Sequence, residues 1–155
     1  MQRILVATDF SETAAAALAH AAKLATFTGG AITLLHVIYA EKINETLLGL
    51  DALEYLARAA DEPERQPGGA YERLREAARQ KLREAVAALP QPHPAVETVL
   101  AEGRPSTEIT AFAAANGIDH IVVGTHGRSR LGKAFLGSVA DNVIRQADVP
   151  VTIVR

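Results

Sequence analysis

The sequence has no cysteine, little net charge and, at its start, only a short apolar run. Without cysteine the chain forms neither disulfides nor thiolate metal sites, so nothing indicates an oxidising compartment. A formal net charge of -2 provides no long-range attraction to nucleic acid or to an anionic membrane. The apolar run Ile4 to Ala7 is interrupted at Asp9, much too early for a signal peptide or a membrane span. We expect a soluble, cytoplasmic protein that binds neither nucleic acid nor membranes.

Apolar residues are plentiful enough for one core. The chain has 155 residues, of which 48% are hydrophobic, and this size and composition are usual for a single domain. We therefore predict one domain over residues 1–155.

The order of the apolar segments predicts an α/β fold. Continuous apolar runs are typical of strands covered on both faces, and apolar residues at helical spacing indicate the helices between them. Ser11 is placed to begin the first helix, and Gly29-Gly30 to end it. The predicted strands are 3–8, 31–38, 95–100, 118–124 and 149–154. The first predicted helix follows Ser11, and the others cover 44–60, 71–89, Pro105 to Gly117 and 138–146. A charged loop is predicted over 61–69.

This order predicts a Rossmann-like, mostly parallel sheet of five strands with helices on both faces. The third strand carries Glu97 and Thr98 among apolar residues, which favours an edge position. Strands one and four both end in candidate ligand loops. Because ligands bind where neighbouring strands send their connections to opposite faces, we expect strands one and four to be adjacent.

A glycine-rich, cationic stretch follows the fourth strand. It holds Gly124, three further glycines and three cations, with no acidic residue before Asp141. Glycine allows close approach of a ligand to backbone amides, and the N-terminus of the next helix attracts anions. The pattern predicts a phosphate site; the remaining glycines and the cations are Gly127, Gly132, Gly137, Arg128, Arg130 and Lys133.

This stretch has three interpretations. It matches two different phosphate-binding patterns in part or in full, or it is a glycine-rich connection that binds nothing. Gly127, Gly132 and Lys133 match most of a P-loop, but Ala134 stands where a hydroxyl must hold Mg²⁺. The second pattern is Gly124-x-x-Gly127, nine residues, then Gly137-Ser138. In it, Ser138 begins an S-x-x-D sequence that can cap the helix and leave its first amides for phosphates. This second pattern resembles the ATP-binding signature of the universal stress protein family.

Asp9 has two readings from the residues alone. At the carboxyl end of strand one, its carboxylate can accept hydrogen bonds from ribose hydroxyls, or it can cap the first helix together with Ser11. Thr8-Asp9-Phe10-Ser11 resembles the T-D-x-S-like turn of the universal stress proteins. The resemblance implies that Asp9 contacts the ribose and that Ala7 and Thr8 line the pocket.

The resemblance covers nearly the whole chain, and it implies the strand order 3-2-1-4-5 and ATP as the bound nucleotide. It departs mainly over residues 38–69. By the same resemblance the Val37 backbone reads adenine, and the loop amides with Arg128 hold the phosphates. The complete set of predicted nucleotide contacts is Ala7, Thr8, Asp9, Val37, Gly124, His126, Gly127, Arg128, Gly137, Ser138 and Val139.

No catalytic set and no protein metal site are predicted. His36 and His126 are the histidines expected near the pocket, and two histidines without a third ligand make a poor metal site. Mg²⁺ or Mn²⁺ can still arrive on the phosphates of the nucleotide, mostly water-ligated.

Three functions are compatible with the sequence. The preferred one is an ATP-binding regulatory or stress-response protein that also accepts ADP or AMP, with at most slow hydrolysis because nothing positions an attacking water. The others are a nucleotide-using enzyme, such as an adenylyl-transferring ligase, and an interaction module that binds no nucleotide.

The last strand predicts a homodimer. Val149 to Val154 is short, apolar and expected at the sheet edge, where unpaired backbone groups invite another strand. Pairing with the same strand of a second subunit gives a closed two-fold interface. Universal stress proteins commonly dimerise in this way, so the resemblance implies the same partner.

Overall fold

The computed structural model describes residues 2–39, 69–125 and 136–155. Strands and helices alternate through these ranges, and their bounds agree closely with the expected ones. The predicted helix over 44–60 and most of the loop over 61–69 lie outside the described residues. The elements are β1 (Arg3–Ala7), α1 (Glu12–Thr28), β2 (Ala31–Ile38), α2 (Ala70–Ala87), β3 (Val96–Glu102), α3 (Pro105–Ala115), β4 (His120–Gly124), α4 (Ser138–Gln146) and β5 (Val151–Val154).

The five strands form one sheet in the order β3-β2-β1-β4-β5, and each neighbouring pair runs parallel. The predicted order and the adjacency of strands one and four are confirmed. Val6 of β1 pairs with Leu34 on one side and with Val122 on the other. β3 lies at an edge, as its polar residues predicted, and β5 lies at the other edge.

Both faces of the sheet are covered by helices, as expected. On one face, α1 and α2 pack over a cluster that includes Ile4, Leu34 and Leu82. On the other face, α3 and α4 pack over a cluster that includes Leu5 and Val143. Successive strand residues point to opposite faces, so a strand buried on both needs the continuous apolar runs seen in the sequence.

The ends of α1 follow the predicted signals. The Ser11 hydroxyl accepts a hydrogen bond from the Ala14 amide at 3.3 Å, so Ser11 caps the helix. At the other end, Gly29 takes a left-handed conformation with φ 64°, and its amide donates to the Ala25 carbonyl. These caps fix where the chain leaves β1 and where it enters β2.

None of the helices in the described part of the chain combines the length and apolar character that crossing a membrane requires.

Candidate functional site

The candidate site lies at the carboxyl ends of β1, β2 and β4. The chain leaves β1 for α1 on one face of the sheet and leaves β4 for α4 on the other. Opposite connections from adjacent strands open a crevice, and open α/β sheets bind ligands in such crevices. Those predicted site residues that the structure describes lie at the ends of these strands, in the turn after β1 or at the start of α4.

The first wall of the crevice is the turn from Thr8 to Ser11. Thr8 is buried, and its amide continues the sheet by donating to the Leu35 carbonyl at 2.9 Å. Its hydroxyl accepts from the Phe10 amide at 3.0 Å. Ala7, the last residue of β1, is half-buried beneath the turn. The turn is thus a hydrogen-bonded unit attached to the sheet.

Asp9 lies at the outer part of this turn and is half-buried. Its Oδ1 accepts a hydrogen bond from the Ser11 amide at 3.0 Å, whereas the N-cap of α1 is Ser11 itself, so Asp9 braces the turn just before the helix. The other oxygen, Oδ2, makes no hydrogen bond to any described residue. One carboxylate can therefore brace the turn and still present an acceptor.

Val37 lies near the end of β2, beside this turn. The pairing of Ala7 with Leu35 is the last in the β1–β2 ladder. In a strand, residues two positions apart direct their backbone groups to the same neighbour. The N–H and C=O groups of Val37 therefore point toward β1 just beyond its last residue, which places a donor and an acceptor at the mouth of the crevice.

The second wall begins where the chain leaves β4. The amide of Thr125 donates to the carbonyl of Val154 at 2.8 Å, and the carbonyl of Thr125 accepts from the amide of Gly137 at 2.7 Å. The two ends of the intervening stretch are thus joined at its base. Three predicted contacts, His126, Gly127 and Arg128, lie outside the described residues.

The start of α4 differs by one residue from the predicted cap. Gly137 occupies the N-cap position with φ -62° and ψ 148°, and no side chain caps the helix. Ser138 is already the first helical residue, so the prediction that it caps α4 is wrong. The Gly137 amide is engaged by Thr125, whereas the amides of Ser138, Val139 and Ala140 have no acceptor within the described residues. These three N–H groups can receive an anion.

Gly124 has a packing role at the base of the site. A Cβ added to it would lie 2.8 Å from the carbonyl carbon and 2.8 Å from the hydroxyl oxygen of Thr13. The end of β4 thus rests directly on the first turn of α1. This contact joins the two walls of the crevice.

Charges near the described walls are few. Asp141, in the first turn of α4, pairs with Arg145 at 2.9 Å. His120 starts β4 at the opposite end of the strand, and its Nε2 lies 2.7 Å from the Thr152 hydroxyl. Burial lowers the pKa of His120, and the nearby charge of His20 lowers it further. His120 belongs to the packing of the sheet, away from the crevice.

Among the described residues, no three or more histidine, aspartate or glutamate side chains come together as metal ligands. The site chemistry visible in this part of the chain is that of backbone donors and one carboxylate.

Two features of the walls escaped the sequence patterns. Thr125 was not selected, although it joins both ends of the glycine-rich stretch. His36 was expected near the pocket, but its hydrogen bond to the Thr8 carbonyl, with Nδ1 at 2.7 Å, was not. The local signals are the dipeptide Thr125-His126 before Gly127 and the dipeptide His36-Val37 near the end of β2, and neither shows which residue its side chain or backbone contacts.

Comparison with known proteins gives a consistent match. A family model described as the universal stress protein family matches residues 1–155. Universal stress protein MJ0577 of Methanocaldococcus jannaschii is 33% identical over 159 residues, covering 99% of this chain and 94% of that protein. A solved structure of MJ0577 superposes with a TM-score of 0.74 at 31% identity, covering 99% of this chain and 94% of the other.

Two more distant structures share the fold and contain nucleotides. A universal stress protein in complex with cAMP has a TM-score of 0.68 at 21% identity, covering 99% of this chain and 96% of the other. The universal stress protein of Archaeoglobus fulgidus in complex with dAMP has a TM-score of 0.65 at 24% identity, covering 100% and 98%.

Proposed function

Because this chain belongs to the universal stress protein family, we propose that it is a regulatory protein of the stress response that binds ATP in the crevice between β1 and β4. One observation carries the proposal. The first amides of α4, which have no acceptor within the described residues, and the carboxylate of Asp9 border the same topological switch point. A ligand with phosphates at one end and hydroxyls at the other fits that combination.

The phosphates go to the start of α4. The amides of Ser138 and Val139 lack acceptors within the described residues, and the positive end of the helix dipole lies beside them. The preceding residues Gly127 and Arg128 add amides and a cation from the glycine-rich stretch. Gly137 contributes by holding the chain at this position through Thr125.

The nucleoside goes to the other wall. Asp9 accepts hydrogen bonds from the ribose hydroxyls through Oδ2, while Oδ1 keeps the turn in place. The N–H and C=O groups of Val37, which point past the end of β1, pair with the edge of the adenine ring. Ala7 and Thr8 line the pocket beneath the adenine. Gly124 and His126 complete the proposed contacts on the β4 side.

The ligands of two fold relatives support an adenine nucleotide. cAMP and dAMP, found in those proteins, share adenine and a single phosphate group. We propose ATP as the main ligand here and expect ADP and AMP to bind as well. Mg²⁺ or Mn²⁺ would enter with the phosphates and keep most of its water ligands.

Hydrolysis should be slow at most. A hydrolytic enzyme needs a group within hydrogen-bonding reach of the attacking water. In the proposed arrangement Asp9 is occupied by the ribose and by the Ser11 amide, and the remaining contacts are backbone groups and Arg128. The site holds a nucleotide, and the protein around it responds to which nucleotide is bound.

Calorimetry on nucleotide-stripped protein tests the proposal. ATP, ADP and AMP should each bind at one site per chain, and GTP should bind more weakly because the Val37 backbone groups are matched to adenine. Absence of binding by all three adenine nucleotides would contradict the proposal and favour an interaction module. Steady conversion of ATP to AMP with a carboxylate acceptor would instead favour an adenylyl-transferring enzyme.

A further inference from the structure

His36 is the one buried histidine among the described residues, and it lies under the turn that carries Asp9. It is 6% exposed and sits on β2, on the face covered by α1 and α2. Its Nδ1 lies 2.7 Å from the carbonyl oxygen of Thr8. Because a carbonyl oxygen only accepts hydrogen bonds, Nδ1 must carry the proton. The bond therefore fixes the tautomer of the imidazole and the direction of the ring.

The same ring also contacts the turn on the far side of Asp9. The ring centroids of His36 and Phe10 are 4.4 Å apart, with 36° between the ring planes. Phe10 has a φ of 64°, and a bulky residue takes this left-handed conformation only when its surroundings impose it. The Nζ of Lys81, on α2, covers the Phe10 ring at 5.7 Å.

Asp9 is thus flanked by two contacts with one side chain. His36 anchors the carbonyl of Thr8 on one side and supports the ring of Phe10 on the other. The hydrogen bonds within the turn, from Phe10 to Thr8 and from Ser11 to Asp9, give the turn its shape. The Thr8 amide joins the start of the turn to β2 through the Leu35 carbonyl, and the contacts with His36 hold the part of the turn that follows.

We infer that His36 is a positioning residue for ribose recognition, holding the turn so that the free oxygen of Asp9 faces the hydroxyls of the nucleotide. The inference rests on the proposed function, since it assigns a task within that site. Its physical basis is preorganisation: a binding group already held in place loses less freedom when the ligand arrives. A misplaced Asp9 would still accept the hydrogen bond from the Ser11 amide but would miss the hydroxyls.

Two variants separate the hydrogen bond from the volume of the ring. His36→Asn places an amide N–H near the position of Nδ1 and can still donate to the Thr8 carbonyl. His36→Leu fills the space but leaves that carbonyl without its donor. Both variants lose the aromatic contact with Phe10, so a difference between them separates the donor to the Thr8 carbonyl from that contact.

The experiment compares ATP with 2′,3′-dideoxy-ATP, which lacks both ribose hydroxyls, on parent and variants. The parent should prefer ATP by about 2- to 13-fold for each hydrogen bond made to a hydroxyl. In His36→Leu this preference should fall toward one, and in His36→Asn most of it should remain. A merely structural role would weaken both ligands equally and leave the ratio unchanged, which would overturn the inference.

The outcomes also distinguish this inference from the proposed function. If the parent binds none of the adenine nucleotides, the proposed function is wrong and the inference falls with it. If the parent binds ATP but does not distinguish it from the dideoxy analogue, nucleotide binding stands and the positioning role is overturned.

A measurement on the parent protein covers the case in which His36→Leu does not fold. In a nitrogen-15 spectrum of labelled histidine, the His36 ring should show a protonated Nδ1, and its resonances should shift when ATP is added. They should shift less with dideoxy-ATP at the same occupancy. An unprotonated Nδ1, or equal shifts with both ligands, would contradict the inference.

Discussion

Gly124 at the end of β4 touches the backbone of Thr13 in α1 so closely that an added Cβ would stand 2.8 Å from the Thr13 carbonyl carbon. Real Cβ atoms essentially never come this close to backbone, so one element must move. The carboxyl end of β4 and the start of α1 form the two sides of the crevice. Their spacing is therefore set by the absence of a side chain at one position.

We predict that Gly124→Ala lowers both stability and nucleotide affinity. Overpacking of this kind costs about 1 to 3 kcal/mol, and the displaced start of α1 carries the turn of Asp9 with it. Chemical denaturation and ATP titration measure the two effects.

Gly29→Ala is the matched control: an alanine there must keep a φ of 64° with nothing within 4 Å of its Cβ. It should lose about 1 to 2 kcal/mol of stability and bind ATP like the parent. Equal affinities for both variants would contradict the prediction.

Gly137→Val tests the phosphate assignment. The backbone at Gly137, with φ -62° and ψ 148°, is open to any residue, so the variant should fold. A branched side chain beside the first amides of α4 should block the phosphates and lower ATP affinity strongly, with less effect on AMP. Gly69→Val provides the control, because Gly69 is the N-cap of α2 with φ -65° and ψ 169° and also lacks a side-chain cap. A folded Gly137→Val protein with parental ATP affinity would show that the phosphates bind elsewhere.

Two substitutions of Asp9 test its proposed contact with the ribose, and each removes different interactions. Asp9→Ala removes the acceptor for the Ser11 amide and the proposed ribose contact. It should weaken ATP and AMP by similar factors, roughly 2- to 13-fold, because both carry the same sugar. Asp9→Asn can keep the bond to Ser11 while losing the charge, so it should retain stability yet still bind both nucleotides less well. Unchanged affinity in both variants would leave Asp9 only with its hydrogen bond to the Ser11 amide.

The proposed homodimer depends on the edge of β5. All four residues of the strand are half-buried, and within the described residues only one side of β5 is paired, with β4. Such an edge accepts a second strand. Light scattering should give the mass of two chains for the parent and of one chain for Ile153→Lys, because a two-fold interface repeats the new charge against itself. Thr98→Lys, on the exposed edge strand β3, is the control and should not change the mass. A monomeric parent, or an Ile153→Lys variant that dimerises as well as the parent, excludes this interface.

His120 predicts a dependence of stability on pH. Burial, followed by the charge of His20, lowers its pKa from the ordinary value of 6.5. Below 6.5 the unfolded chain therefore binds more protons than the folded one, and the free energy of unfolding falls as the pH drops toward the folded pKa. Denaturation over a series of pH values should show this slope. His120→Gln should flatten it, and His20→Gln should flatten it in part by removing the second cause. A slope that persists in His120→Gln would assign the effect to another group.

The arrangement of the sheet could be predicted because burial on both faces leaves a direct trace in the sequence. Ile4, Leu5 and Val6 are each fully buried, and a strand between two helix layers consists mostly of apolar residues. The edge position of β3 was predicted for the complementary reason: Glu97 and Thr98 are exposed.

The bounds of α4 were predicted correctly, but its N-cap was placed one residue late because Gly137 and Ser138 are both acceptable N-cap residues. The choice is made by the hydrogen bond between the Gly137 amide and the Thr125 carbonyl, a contact across the whole glycine-rich stretch. A rule based on residue spacing within the helix cannot predict a contact with a residue outside the helix.

The contact of His36 with Thr8 could not be predicted from the sequence for a related reason. Its bond to Thr8 depends on the register of β2 against β1, in which Ala7 pairs with Leu35. The apolar pattern predicts that the two strands pair but not which residues stand opposite one another. Likewise, the tight contact of Gly124 with Thr13 follows from the packing of α1 on β4, which no local motif describes.

The central position of β1 has a consequence for the growing chain. The backbone amide of Arg3, at the start of this strand, bonds to Asp119, which lies 116 positions later. At about 5 to 20 residues per second, ribosomes need roughly 6 to 23 s to make the intervening chain. During that interval β1 can pair with β2, but its other edge faces the cell without β4. Until β4 is made, the growing chain therefore exposes an unpaired apolar strand edge of the kind that chaperones shield.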